Sequence, residues 1–140
     1  MPLTMHFNIL ATAATVAFCC LSGTFCFSQN SVPTAVREAF SQKFPGVSDV
    51  DWEKENNREW EAEFEQNGID MSANFSADGA WLETETPIKV AELPAPVQAA
   101  LKGKKVKEAA RIERADGTTL FEAEVRKKDL LFDQAGKQLN

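Results

Sequence analysis

A five-residue phrase occurs twice in this chain, as Trp60-Glu61-Ala62-Glu63-Phe64 and as Phe121-Glu122-Ala123-Glu124-Val125, at an offset of 61 residues. Both copies alternate apolar and acidic residues. In an extended backbone a period of two sends neighbouring side chains to opposite sides, so each copy predicts a strand with one buried and one wet face. The signals around each copy recur in the same order. Leu93-Pro94 repeats Val32-Pro33, and Val97, Ala100 and Leu101 repeat Val36, Ala39 and Phe40, again 61 residues apart. Leu130-Leu131-Phe132-Asp133 and Gln134-Ala135-Gly136 repeat Ala73-Asn74-Phe75-Ser76 and Ala77-Asp78-Gly79 at an offset of 57, which implies shorter turns in the second copy. The chain therefore reads as a tandem duplication, with repeat one over 31–86 and repeat two over 92–140.

Each repeat predicts a helix followed by an antiparallel meander. Ser31 to Phe44 carries Val36, Phe40 and Phe44 at i, i+4 and i+8, one apolar stripe, with Pro33 in the first turn and Pro45-Gly46 as the stop. Val50 and Trp52 then alternate with Asp51 and Glu53, a strand that ends in the polar turn Glu55-Asn56-Asn57-Arg58. The first copy of the phrase is the second strand. Asn67-Gly68 predicts a tight hairpin, because both residues tolerate positive φ. A third strand points Met71, Ala73 and Phe75 inward, Asp78-Gly79 turns the chain, and a fourth strand runs from Ala80 to Glu85. Pro87 to Glu92 links to repeat two, whose helix ends at Gly103, whose Ile112-Glu113 answers Trp52-Glu53, and whose Asp116-Gly117 makes the next turn. The fold class expected is α+β, with two tandem helix-plus-meander repeats forming one sheet and the helices on one face.

The first 28 residues read as an export signal. Ile9 to Leu21 is an uncharged apolar run, short for a membrane span, and Cys26-Phe27-Ser28 fits the small-x-small pattern of signal cleavage before Gln29. The segment before the run holds His6 but no Lys or Arg, and the residues preceding Cys19, Cys20 and Cys26 are not the arrangement a lipid-anchoring signal needs. The expected location is periplasmic or secreted, with 29–140 as the folded domain and no membrane insertion after cleavage.

Cleavage would remove Cys19, Cys20, Cys26 and His6, which are all the cysteine and histidine of the chain. Disulfides, Cys-His and Ser-His-Asp catalysis, and the preferred ligands of soft metals go with them. No Gly-rich phosphate loop is present, since Gly46, Gly68, Gly79, Gly117 and Gly136 sit in turns. Every charged residue lies after residue 28, so the net charge of −6 belongs to the folded part and disfavours nucleic acid or an anionic membrane as a partner, since both need a basic surface. Neither a metal nor a cofactor is expected. What remains is carboxylate chemistry: Glu61, Glu63 and Glu65 share a strand face, with Asp51 and Glu53 expected on the adjacent strand. Such a ladder could hold Ca²⁺ or a small ligand, or in principle hydrolyse a glycoside. It is also what any solvated sheet face looks like, with Arg111, Arg126 and Lys128 as candidate balancing charges.

Of the three tryptophans, Trp52 and Trp60 share the face of Val50 and Phe64 and are expected in the core. Trp81 reads differently. Its neighbour Leu82 aligns with Leu139, which makes 82 the inward position and sets Trp81 outward beside Glu83 and Glu85, with Gln138 as its counterpart in repeat two. An outward tryptophan among acids is a plausible partner anchor. The candidate recognition surface is therefore Trp81, Glu61, Glu63, Glu83 and Glu85.

The combination Val32-Pro33…Phe40…Phe44-Pro45-Gly46, Val50-Asp51-Trp52-Glu53, Trp60-Glu61-Ala62-Glu63-Phe64 and Asp78-Gly79-Ala80-Trp81-Leu82-Glu83-Thr84-Glu85 resembles the PepSY-like family, the one likened to β-lactamase inhibitory protein. The degraded second copy extends the resemblance from Leu93-Pro94 to Leu139. The resemblance implies an exported, non-catalytic binding or inhibitory module whose partner is an envelope protein or peptide, and it offers no catalytic residues to carry over. Mass spectrometry of the exported protein should show Gln29 as its first residue; a chain that retains Cys26, or carries lipid on it, would disprove the reading of the leader.

Overall fold

The computed structural model describes residues 32–140; the expected leader, with its cysteines and histidine, lies outside the described residues. Helix α1 (Thr34–Lys43) is followed by strands β1 (Val50–Lys54), β2 (Glu59–Gln66), β3 (Ile69–Ser76) and β4 (Trp81–Ile88). A short 3₁₀ turn at Val90–Glu92 leads into helix α2 (Ala95–Ala100), then strands β5 (Val106–Arg114), β6 (Thr119–Val125) and β7 (Lys128–Asp133). The seven strands form one antiparallel sheet in the order β1-β2-β3-β4-β5-β6-β7.

The two helices bury the same face of the sheet. Val36 and Phe40 of α1, with Val32 and Phe44 flanking it, pack on Trp52, Trp60, Ala62, Phe64, Ala73 and Phe75. Phe40 is the hub of this cluster, edge-on to Trp52 at 5.5 Å, to Phe64 at 5.0 Å and to Phe75 at 6.1 Å between ring centroids. Such tilted and edge-on contacts add to simple burial. In the second half, Leu93, Val97 and Leu101 pack on Ala109, Phe121, Ala123, Val125 and Phe132. Pairing carries the face across the molecule: Ala73 opposes Thr84, Thr84 opposes Glu113, Ala109 opposes Ala123 and Phe121 opposes Phe132. Trp52 and Trp60 are core, as their alternation requires.

The turns account for the two sequence offsets. Phe64 pairs with Met71 across Asn67-Gly68, whereas the equivalent Val125 pairs with Lys128 directly across Arg126-Lys127, a hairpin four residues shorter. A further parallel joins each helix to its sheet. A Cβ on Gly79 would lie 2.7 Å from the carbonyl oxygen of Ala35, and one on Gly136 would lie 2.5 Å from that of Pro96. Both glycines also hold a positive φ, +92° and +81°. In each half, the turn after the third strand thus presses its glycine against the first turn of the helix.

Two boundaries differ from those expected. The linker expected over Pro87 to Glu92 begins as strand: beyond Glu85, β4 leaves β3 and pairs only with β5, Pro87 opposite Ala110, an edge setting in which proline is tolerated. The first helix is shorter than Ser31 to Phe44, because Pro33 is its cap and Phe44 closes its last turn through an N–H donated to the Phe40 carbonyl. Replacing Trp60 by alanine should cost about 3–5 kcal/mol of stability, as for a buried aromatic. Gly79→Ala should cost about 2 kcal/mol through its left-handed backbone and its contact with Ala35. Urea unfolding checks both, and a Gly79→Ala protein as stable as the parent would refute the helix contact.

Candidate functional site

The face opposite the helices is where period two sends the acids. Pairing lines them up in transverse rows. In one row Glu53, Glu61, Asn74, Glu83 and Arg114 follow one another from β1 to β5. In the next, Asp51, Glu63, Ser72 and Glu85 run from β1 to β4 and continue into Ile112, Leu120 and Asp133. A third joins Pro87, Ala110, Glu122 and Leu131. Glu61, Glu63, Glu83 and Glu85 are therefore brought together on one face, with Asp51 and Glu53 beside them, as the alternation predicts.

Trp81 is not with them. The β3–β4 ladder slips by one residue between Asn74 and Phe75, so that Glu83 opposes Asn74 while Trp81 opposes Phe75. Leu82 is the extra residue of this bulge, and its insertion reverses the parity on which the outward reading of Trp81 rests. The indole packs against the α1 cluster, with Lys43 Nζ 3.3 Å from its ring centroid. Its Nε1 donates to Oγ1 of Thr84 at 2.9 Å, which gives a partner to the hydroxyl of a residue only 4% exposed. Trp81 thus belongs to the helix side as a half-buried lid over α1 and does not form part of the acidic surface.

The face is short of positive charge. Among the described residues the only ion pair within the rows joins Arg114 Nε to Glu83 at 3.0 Å. The expected balancing residues lie elsewhere: Arg111 is paired with Phe121, hence on the helix side, and contacts Glu113, while Arg126 sits in the β6–β7 turn and Lys128 directly follows that turn. Burial without counter-charge raises the carboxyls. Glu85 is pushed up to about 8, by desolvation and then by the charges of Glu122, Glu61, Glu83 and Asp129. Glu122 rises to about 7 through desolvation, then Asp129, Glu83 and Glu124. Glu61, 5% exposed, also reaches about 7, through desolvation and then a hydrogen bond shared with Glu55, which the Ser72 hydroxyl partly offsets. Glu63 is raised by desolvation and by Glu53, Asp51 and Glu55.

The carboxylate oxygens of Glu53, Glu55 and Glu61 come within 4.8 Å of one another, the closest approach of the ladder to a cation site. The nearness of Glu55 that raises the Glu61 carboxyl favours a proton there, which would meet the same electrostatic need. Sequence reasoning missed the other half of the surface. Ile112, Leu120 and Leu131 form a small apolar cluster on this face, each less than 9% exposed. A signal was present in Leu130-Leu131-Phe132, where strict alternation with an inward Phe132 forces Leu131 outward. Toward the Ile88 end of β4 lies a groove of about 460 Å³, floored by Pro87 and Ala110, walled by Glu85, Glu122 and Asp129, and lined also by Lys89 and Lys107.

Residues 23–72 and 58–140 match the family described as "Putative beta-lactamase-inhibitor-like, PepSY-like". The chain belongs to this family. Solved structures share its fold. A protein from Bacteroides eggerthii described as a putative periplasmic protein is 21% identical, with a TM-score of 0.70 over 78% of this chain and 86% of its own. A BLIP-like protein from Bacteroides fragilis is 24% identical, with a TM-score of 0.63 over 77% and 84% of the two chains. Among curated proteins none matches. At such identities the likeness establishes the α+β fold with its single antiparallel sheet; ligands belong to sites, which differ within a fold.

The raised carboxyls make this PepSY-like fold sensitive to pH in a defined direction. Glu61, Glu85 and Glu122 hold protons more tightly when folded than their ordinary 4.5, so the folded state binds more protons between about pH 4.5 and 8. Stability should therefore be greatest near the lower end of that window and fall as pH rises through 7 to 8. Glu85→Gln should add on the order of 1–2 kcal/mol at pH 8, one pKa unit being about 1.4 kcal/mol, and add little near pH 5. Denaturation at both pH values tests this, and an equal effect at both would refute it.

Proposed function

We propose that the protein is a non-catalytic binding module of the cell envelope whose open sheet face takes a basic or mixed segment of another polypeptide. The observation that carries this reading is the groove on the sheet face that neither α-helix covers, floored by Pro87 and Ala110 and walled by the raised carboxyls of Glu85 and Glu122. An incoming Lys or Arg would relieve the repulsion among Glu61, Glu85 and Glu122, and its aliphatic stem would lie on Pro87 and Ala110. Membership of a family described as inhibitor-like favours a protein partner, an enzyme such as a peptidase included, over a substrate. An envelope location is supported by the periplasmic description of the Bacteroides eggerthii neighbour and by the leader. Among the described residues no helix is long and apolar enough to cross a membrane.

We further read the two halves as copies of one ancestral unit. The matching contacts of Gly79 with Ala35 and of Gly136 with Pro96, and the four-residue difference in hairpin length, support the duplication on geometry independent of composition. A second reading, Ca²⁺ held by the ladder, rests on the approach of Glu53, Glu55 and Glu61. Calorimetry with Ca²⁺ separates the two: heat from a single site near neutral pH would favour the ion.

Capture from envelope extract, followed by titration of the purified partner, tests the main reading. Charge reversal at Glu85→Lys should weaken that binding at least tenfold, while a change on the helix side such as Arg111→Ala should leave it intact. Affinity should also fall between pH 8 and 6, as the carboxyls that attract the partner become protonated. A partner whose affinity ignores both Glu85→Lys and pH would show that this face is not the site.

A further inference from the structure

Charge in this molecule is segregated as well as negative. Strand pairing brings the end of β4, the start of β5, the end of β6 and the start of β7 to one end of the sheet, since Ile88 opposes Ala109, Val106 opposes Val125 and Val125 opposes Lys128. The turn from α2 into β5 therefore lies beside the β6–β7 hairpin. The first carries Lys102, Lys104 and Lys105; the second carries Arg126, Lys127 and Lys128; all six are exposed. Among the described residues none of the six enters an ion pair, while Lys107 next to them is occupied by Glu108 at 2.8 Å and Glu124 at 3.3 Å. Six of the fifteen basic residues of the chain thus gather at one pole of a protein whose net charge is −6, Lys104 Nζ donating to the Ala100 carbonyl at 3.1 Å.

The hairpin tip gives an independent reason to assign this pole a role. Arg126 and Lys127 hold φ of 55° and 62°, the left-handed region at both central positions of a two-residue turn. The β2–β3 hairpin meets the same requirement with Asn67 and Gly68, at φ 56° and 77°, the residues such turns favour. Placing Arg and Lys there instead accepts backbone strain for two exposed cations that enter no ion pair among the described residues. Strain kept without structural return points to use outside the molecule.

The form of the charge narrows the partner. Five lysines and one arginine are mobile point charges on turn tips, where a discrete phosphate would call for guanidinium forks or a nest of backbone N–H groups. Distributed lysines suit an extended anionic surface, and an exported protein faces one in the headgroups of its membranes. The acidic ladder of β1 and β2 lies several strands away, beyond the range of about 8 Å over which charges act in physiological salt, and the nearer acids Glu108 and Glu124 are engaged by Lys107. From the juxtaposition of these two turns we infer that this pole is an electrostatic docking surface for anionic lipid headgroups. It would hold the molecule on a membrane surface without insertion and leave the acidic sheet face free for a polypeptide.

Co-sedimentation of the purified protein with vesicles of phosphatidylglycerol mixed equally with phosphatidylcholine tests the inference. Binding should occur at low salt, fade as salt rises, and be absent from pure phosphatidylcholine. Arg126→Asn/Lys127→Gly should weaken it roughly tenfold while raising the thermal midpoint by a few degrees, because the turn then has its favoured residues. Lys102→Ser/Lys105→Ser, in the other turn, should weaken it similarly. Loss of binding together with a higher midpoint cannot come from unfolding. Equal binding to neutral vesicles, or binding unaffected by both variants, would overturn the inference. Retention on immobilised polyglutamate without vesicle binding would overturn it too, assigning the pole to an acidic protein.

Discussion

The parity of the strands governs everything else in this molecule. A strand offers two faces and alternates between them, so once the phenylalanines of β2, β3, β6 and β7 are committed to the helices, the residues between them have nowhere else to go. Hydrogen bonding carries that commitment sideways. Ala62 opposite Ala73, Ala73 opposite Thr84 and Thr84 opposite Glu113 keep one face continuous through the middle of the sheet. The acidic rows are the complement of the core. Because Glu53, Glu61 and Glu63 sit opposite another acid or a small polar residue, the repulsion among them is fixed by the same pairing that buries Phe75.

That arrangement explains how a face with raised carboxyls coexists with a stable fold. The first half gathers Phe40, Phe44, Trp52, Trp60, Phe64 and Phe75 into one aromatic cluster under a ten-residue helix. The second half has a six-residue helix and carries Leu101 and Val125 where the first has Phe40 and Phe64, so its share of the core is thinner. Part of its apolar content appears on the far side of the sheet instead, as Ile112, Leu120 and Leu131. Alanine at 110 also leaves the groove between Glu85 and Glu122 open. Since the halves share a sheet through β4 and β5, the larger core can support a smaller one that is partly given over to surface.

The two bulges mark where the simple pattern is edited. One, at Asn74 and Phe75, turns Trp81 onto the helix side, where Lys43 and Thr84 occupy its ring and its N–H. The other, between Val106 and Ala109, sits beside the basic pole and places Lys107 between Glu108 and Glu124. Bulges re-aim side chains without breaking a sheet, and both lie at the borders between differently charged regions.

The sequence by itself determined the strands, the faces of Glu61, Glu63, Glu83 and Glu85, the core role of Trp52 and Trp60, and the order helix, meander, helix, meander. Those properties are local: period, turn residues and caps act over a few positions and leave a readable trace. Only the tertiary structure decided where Trp81 points, because a bulge is set by the competition between two strands and not by either one alone. It also decided which base meets which acid, Arg114 with Glu83 where Arg111, Arg126 and Lys128 were the expected candidates. Such pairings depend on registers summed across several strands. The burial that lifts Glu61, Glu85 and Glu122 has the same origin, as does the meeting of Lys102 to Lys105 with Arg126 to Lys128. Residues far apart in the chain acquire a common environment only when the sheet brings their strand ends together.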